Sequence, residues 1–272
     1  MKNALTVDLE DWYHICGVEE LSDASEWHTY ESRIIKSTAK VLNMLRDYNV
    51  KATFFVLGYI AAKEPGLIRE IKDDGHEIAS HGYFHRRIFE LTKEEFEDDI
   101  VRSIDVISSI TNKKVSGFRA PEWSIRPNTF WALESLRKNG ILYDSSMVPL
   151  TRMGDRGFPV NPSPIKTKYG DILEFPLTTA RLFWENIPFS GGLPLRMVPY
   201  FYILSKIKRM NREGKSGMVY IHPWEFDRQK QKIDLPLSRR FMHYFNIRVT
   251  PKKVRGLLEH LPFAPVKEVL SL

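Results

Sequence analysis

The chain has 272 residues, 40 Lys and Arg against 34 Asp and Glu (formal charge +6), and ordinary apolar and charged fractions of 43% and 27%. That composition excludes a disordered, coiled-coil or low-complexity chain, and the length suits one large domain spanning residues 1–272. Cys16 is the only cysteine, which excludes an internal disulfide.

No signal peptide is read ahead of the acidic cluster at residues 8–11, and no apolar run is long enough to span a bilayer. The expected location is therefore the cytoplasm. Basic residues cluster only at Lys206–Arg209 and Arg228–Lys232. Without a nucleic-acid motif these read as solvated faces, and no nucleic-acid partner is expected. The aromatic, basic segment Tyr200–Arg209 is a candidate for peripheral membrane contact, although a helix packing that side into its own core is the preferred reading.

In chain order, Ala4 to Asp8 reads as a short buried strand ending in acid, followed by an aromatic and acidic loop from Trp12 to Tyr30. Glu31 to Tyr48 has helical spacing, with Ile34, Ile35, Thr38, Val41, Leu42 and Leu45 in one stripe. Val50 to Leu57 is a second strand, Ile60 to Asp74 a helix closed by Gly75, and His76 to Ser80 a third strand. Thr92 and Glu95 form a capping box that opens a helix to about Ile110. Val115 to Phe118 is a fourth strand, Asn128 to Lys138 a helix, and Ile141 to Tyr143 a short strand.

A long irregular loop is expected over 145–170, then a strand from Asp171 to Pro176 and an aromatic, Gly-rich stretch from Leu182 to Leu193. A helix over Pro194 to Arg212, a strand over Gly217 to Ile221, a helix over Pro251 to Glu259 and a last strand over Val266 to Leu270 complete the chain. This alternation predicts an α/β fold with a parallel sheet closed, or nearly closed, into a barrel.

Asp8, His81, Arg119, Asp144 and His222 all fall at C-terminal ends of predicted strands, which in such a fold form one face. His81-Gly82-Tyr83-Phe84-His85 offers two imidazoles for one divalent metal, and the third, acidic ligand would come from Asp8, Glu10 or Asp11. Strand alternation favours Glu10, and adjacency to the turn favours Asp11. Beside a metal that polarises a carbonyl and holds a water, Asp8 could take a proton and Arg119 could orient it. His222 could protonate a leaving amine, and Asp144 could hold His222 charged and correctly turned. His14, His28 and His76 read as structural or solvated.

Five segments in order resemble the NodB-homology polysaccharide deacetylases, carbohydrate esterase family four. They are Thr6–Asp11, His81–His85, Arg119–Trp123, Tyr143–Ser146 and Tyr220–Pro223, and together they span residues 6–223. The resemblance implies a distorted (β/α)7-type barrel in one domain, completed by residues 224–272. It also implies a divalent metal, commonly zinc with cobalt or nickel as substitutes, and removal of N-acetyl groups from amino sugars in a polysaccharide or lipid-linked glycan.

By family analogy Asp8 is the base, His81 and His85 are metal ligands, His222 is the acid, Arg119 holds Asp8, Asp144 tunes His222, and a backbone N–H near Glu122 completes an oxyanion hole. The segment Asp8–Trp12 is similar to a subgroup associated with exopolysaccharide loci. The chain departs from the usual pattern by an inserted residue in the first segment and by Glu122-Trp123 in the third, which changes the pocket wall. Trp12, Trp123, Trp184 and Trp224 are candidates to stack on sugar rings. Hydrolysis of a small cyclic amide and a non-catalytic glycan-binding role are the competing expectations.

Overall fold

The computed structural model describes residues 1–272 apart from 19, 20, 22, 152, 228 and 230–234. Of the expected basic cluster at 228–232, only Gln229 lies within the described residues. Strand β1 (Asn3–Leu9) is buried along its whole length, the condition of a parallel strand covered on both faces, and this is why it reads as an apolar run. After it come α1 (Ile34–Asp47), β2 (Thr53–Val56), α2 (Gly58–Lys63), α3 (Pro65–Asp73), β3 (Glu77–Ser80) and α4 (Lys93–Thr111). Strand β4 (Gly117–Phe118), α5 (Trp131–Lys138) and β5 (Tyr143–Asp144) follow, then β6 (Ser163–Ile165), β7 (Ile172–Glu174) and the hairpin β8–β9 (Thr179–Leu182, Glu185–Pro188). The chain ends through α6 (Gly192–Met197), α7 (Tyr200–Arg212), β10 (Met218–Ile221), α8 (Leu237–Tyr244), α9 (Thr250–His260), β11 (Phe263–Ala264) and α10 (Val266–Val269).

The main sheet runs β10-β1-β2-β3-β4-β5-β7-β6, with β11 beside the start of β1. All pairs are parallel except β6 with β7. The seven parallel strands from β10 to β7 curl into a half-barrel of the distorted (β/α)7 kind, packed with helices in one domain. Strand pairing does not close it. Between β7 and β10 the gap is bridged by Thr178 Oγ1, which accepts from Met218 N at 2.6 Å, and by Ser190 O, which accepts from Tyr220 N at 3.3 Å.

Several elements differ from expectation for local reasons. The helix expected from 60 to 74 divides at Glu64, because Pro65 lacks an N–H and starts a new helix instead. Pro199 divides the helix expected over 194–212 in the same way. The aromatic stretch after 182 lies partly in the β8–β9 hairpin, and the irregular loop over 145–170 contains β6. The last expected strand, 266–270, is instead the short helix α10, started by Pro265, and the final strand is Phe263–Ala264. Helix α8 was not expected. The capping box forms as read, with Glu95 N donating to Thr92 Oγ1 at 3.2 Å and Thr92 N to Glu95 Oε2 at 2.8 Å. Among the described residues no helix is long and apolar enough to cross a membrane.

Candidate active site

Beyond Leu9 the backbone turns sharply, with Glu10 N donating to Asp8 O at 2.9 Å. Asp8 and Glu10 thereby both line one cleft, together with His81, His85 and His222. Glu10 Oε1 lies 3.1 Å from His81 Nε2 and 2.9 Å from His85 Nε2. Burial alone would push Glu10 up, yet His85 and His222 beside it hold its carboxyl well below the usual range.

His81 Nδ1 donates to Arg119 O at 2.7 Å, which fixes the tautomer and leaves Nε2 toward Glu10. His85 Nδ1 lies 3.4 Å from Cys16 Sγ, a partner the sequence did not suggest. The loop carrying both histidines needs positive φ at Gly82 (+76°) and His85 (+55°). It is propped by Asp99 of α4, which accepts from Tyr83 N at 2.6 Å and Phe84 N at 3.2 Å. The two imidazoles and one carboxylate of Glu10, His81 and His85, with ligand atoms all within 4.8 Å of one another, fit a divalent transition metal.

Asp11 does not join this cluster. Its Oδ2 accepts from Ser32 Oγ at 2.7 Å, Arg33 N at 2.9 Å and Ile34 N at 3.1 Å, and its Oδ1 accepts from Trp12 N at 2.9 Å. Its oxygens are occupied in capping the first turn of α1, which removes it as an acidic ligand.

Arg119 is fully buried and stacks over Phe55 and Trp123, 4.1 and 4.3 Å from their ring centroids. Its Nη1 donates to Asp8 Oδ1 at 2.6 Å and to Thr6 Oγ1 at 2.9 Å, and its Nη2 to Ser145 Oγ at 3.0 Å. Asp8 Oδ2 is left facing His222 Nε2 at 3.9 Å, and the same nitrogen is 4.0 Å from Glu10 Oε2.

The partner of His222 is Glu225 rather than Asp144. Glu225 Oε2 lies 3.4 Å from His222 Nδ1 and accepts from His222 N at 3.0 Å, while its other oxygen is 3.4 Å from buried Arg196. Burial works against a charged His222, but the carboxylates of Glu10, Glu225 and Asp8 push it up to about 9. Asp144 is aligned in register with Glu174 of β7, so the two carboxyls share a face. Burial and then Asp144 hold Glu174 well above the usual carboxylate range, and burial raises Asp144 as well. Asp144 acts instead on Ser146, whose Oγ donates to it at 2.5 Å and accepts from Ala120 N at 2.7 Å.

Glu122 and Trp123 both hold positive φ (+50° and +53°), a strained pair at the cleft wall. The Glu122 carboxylate is taken by Arg239 at 3.1 Å. Trp123 and Trp224 both line the cleft, and Trp224 is stacked between His222 and His243, its ring centroid 5.0 and 4.1 Å from theirs. Trp12 packs on Tyr13 and Tyr30, and Trp184 sits on the β8–β9 hairpin tip. His14, read as structural, is buried beside the cluster with Nδ1 accepting from Asp11 N at 2.9 Å.

Residues 22–141 match the family model described as polysaccharide deacetylase, and residues 145–271 match a domain of unknown function, DUF3473. Both segments contribute strands to the same sheet. Over 101 residues the chain is 32% identical to a peptidoglycan-N-acetylglucosamine deacetylase of Bacillus cereus, covering 37% of each chain. Over 109 residues it is 31% identical to a peptidoglycan deacetylase of Helicobacter pylori, covering 40% of this chain and 36% of that one. The chain thus spans little more than a third of the length of these curated relatives. A crystal structure of a candidate polysaccharide deacetylase from Mycobacterium smegmatis superposes with a TM-score of 0.65 at 21% identity, covering 99% of this chain and 88% of that one, a likeness of fold. Residues 22–141 are thus similar in sequence to polysaccharide deacetylases, and the chain as a whole shares its fold with a solved structure of that description.

Proposed function

We propose that this protein is a metal-dependent hydrolase that removes the N-acetyl group from an acetylated amino sugar within a glycan. One observation carries the reading. A three-donor cluster, Glu10, His81 and His85, lies in the same cleft as a carboxylate and an imidazole, Asp8 and His222, that face each other at 3.9 Å. Family four deacetylases are metal-dependent. Glu10, His81 and His85 would hold the metal here, and their nitrogen and oxygen donors suit zinc, with cobalt or nickel as substitutes.

When bound, the metal supplies Lewis acidity toward the acetyl carbonyl and acidifies water. The chain's own residues then divide the proton work. Asp8, fixed through Oδ1 by Arg119, takes a proton from the attacking water at Oδ2. His222, kept charged by Glu225, gives its Nε2 proton to the sugar nitrogen as the carbon–nitrogen bond breaks, releasing acetate and a free amine. Trp123 and the strained turn at Glu122 form the wall against which the acetyl group would sit.

The cleft is wide and bordered by Phe89, Met153 and Met242, which favours a polymeric or lipid-linked glycan over a small enclosed cyclic amide. A role in exopolysaccharide synthesis and a cytoplasmic location remain part of the proposal on sequence grounds alone.

The test combines metal content with deacetylation of N-acetylglucosamine oligomers. About one metal per chain is expected, lost in His81→Ala/His85→Ala. Asp8→Asn should keep the metal and lose at least about a hundredfold in kcat/KM. Full activity in Asp8→Asn, or no uptake of zinc, cobalt or nickel by the wild type, overturns the reading.

A further inference from the structure

The hairpin β8–β9 forms its own two-stranded sheet, apart from the main one. Leu182 pairs with Glu185, so Phe183 and Trp184 alone make the turn, and they are 80% and 76% exposed. Phe183 holds φ +53°, a conformation that two-residue turns normally give to Gly or Asn. A bulky aromatic kept in a strained turn and left in water contributes nothing to the packing of the fold, and such strain points to a role outside it.

The tip is fixed to the rim of the cleft. Arg156 donates to Trp184 O at 3.1 Å and to Glu185 Oε2 at 2.8 Å, and Thr151 donates to the same carboxylate at 3.0 Å. Met153, in the segment so held, lines the cleft. Met242 of α8 also lines the cleft, and Leu237 of the same helix is 84% exposed. Arg196 of α6 grips the carbonyls of His243 and Phe245 at 2.8 and 3.1 Å, which joins α8 to α6. Helix α7, which follows α6, exposes Phe201.

Charge completes the pattern. The chain as a whole has 34 acidic residues, yet the stretches 177–184, 191–212 and 235–245, which carry these apolar groups, contain none. Arg181, Lys208 and Arg240 are exposed on them. Protruding aromatics and leucine set among exposed cations match a lipid surface of negative charge, in which the rings enter the headgroup layer and the cations meet phosphate.

We propose that the rim of the cleft docks on an anionic lipid bilayer, with Phe183 and Trp184 as the inserting element. The inference goes beyond the deacetylase reading and does not depend on it. Its test uses the full chain and vesicles of phosphatidylcholine, with or without phosphatidylglycerol, read by co-sedimentation. The wild type should pellet with the phosphatidylglycerol vesicles, and less so at high salt. Phe183→Ser/Trp184→Ser, which leaves every charge in place, should weaken that binding at least about tenfold with an unchanged melting temperature. Failure of the wild type to bind overturns the proposal, as does equal binding by the double variant. A wild-type dimer that the double variant converts to monomer, with no vesicle binding, assigns the surface to a second copy and overturns it as well.

Discussion

Asp11 and Glu10 are adjacent acids with opposite assignments, and exchanging each in turn separates them. Asp11→Ala removes the acceptor for Arg33 N and Ile34 N at the start of α1, both buried, and for Ser32 Oγ. Loss of a helix cap costs about 1–2 kcal/mol, and the stranded buried N–H groups bring the total to about 3 kcal/mol. For 272 residues the entropy of unfolding is about 0.6 kcal/mol per degree, so the melting temperature should fall by about 5 °C.

Metal affinity of that variant should stay close to wild type, since Asp11 lies outside the cluster of Glu10, His81 and His85. Glu10→Gln should do the reverse, weakening metal binding by about a hundredfold or more with a smaller change in the melting temperature of the metal-free protein. Thermal unfolding of the metal-free proteins and competition titration with a zinc indicator give the two readouts. Lost metal in Asp11→Ala, with metal retained in Glu10→Gln, would refute the assignment.

Two further outcomes follow from charge. Glu225→Gln removes one of the three carboxylates that hold His222 at about 9. Its folded pKa should drop by about one unit, moving the alkaline limb of the kcat/KM profile to lower pH, whereas Asp144→Asn should leave that limb in place. Burial would raise Asp227, but Arg33 and Lys40 hold it at about 2 against an ordinary 3.8. A depressed carboxyl stabilises the fold above its unfolded pKa and loses that contribution as pH falls through its folded one. Asp227→Asn should therefore cost about 2 kcal/mol near pH 6 and almost nothing near pH 2, measured by urea unfolding.

The residues that meet in the cleft were legible in sequence wherever a local rule placed them. Alternation favoured Asp8 and Glu10 on one side, an outcome reached instead through the turn after Leu9, and the strand ends gathered His81, Arg119 and His222. Where position depends on register between distant segments, sequence was silent. Asp144 meets Glu174 because β5 lies beside β7, thirty residues on, and nothing local distinguishes that neighbour from His222. Glu225 did have a local signal, lying three residues after His222 across Pro223, a spacing that brings side chain and backbone together at the start of a turn. The short terminal helix at Val266 was hidden by its apolar composition, which a strand shares. Helix α8 carries its apolar residues outward, so the usual core-facing stripe gave no guide.

The position of β1 has a consequence for how the molecule assembles. Its Thr6 hydroxyl reaches Val219 O across 213 residues of chain, and its partner on that edge, β10, comes from a late segment of the chain. Until that segment is synthesised, β1 presents an unpaired apolar edge, the kind of surface that invites pairing between chains. The proposed metal ligands come from residues 10–85 and could assemble early, while His222 joins only later in the chain. Metal should therefore be a ligand for partly folded chains, and its supply during synthesis should affect the yield of native protein as well as its activity.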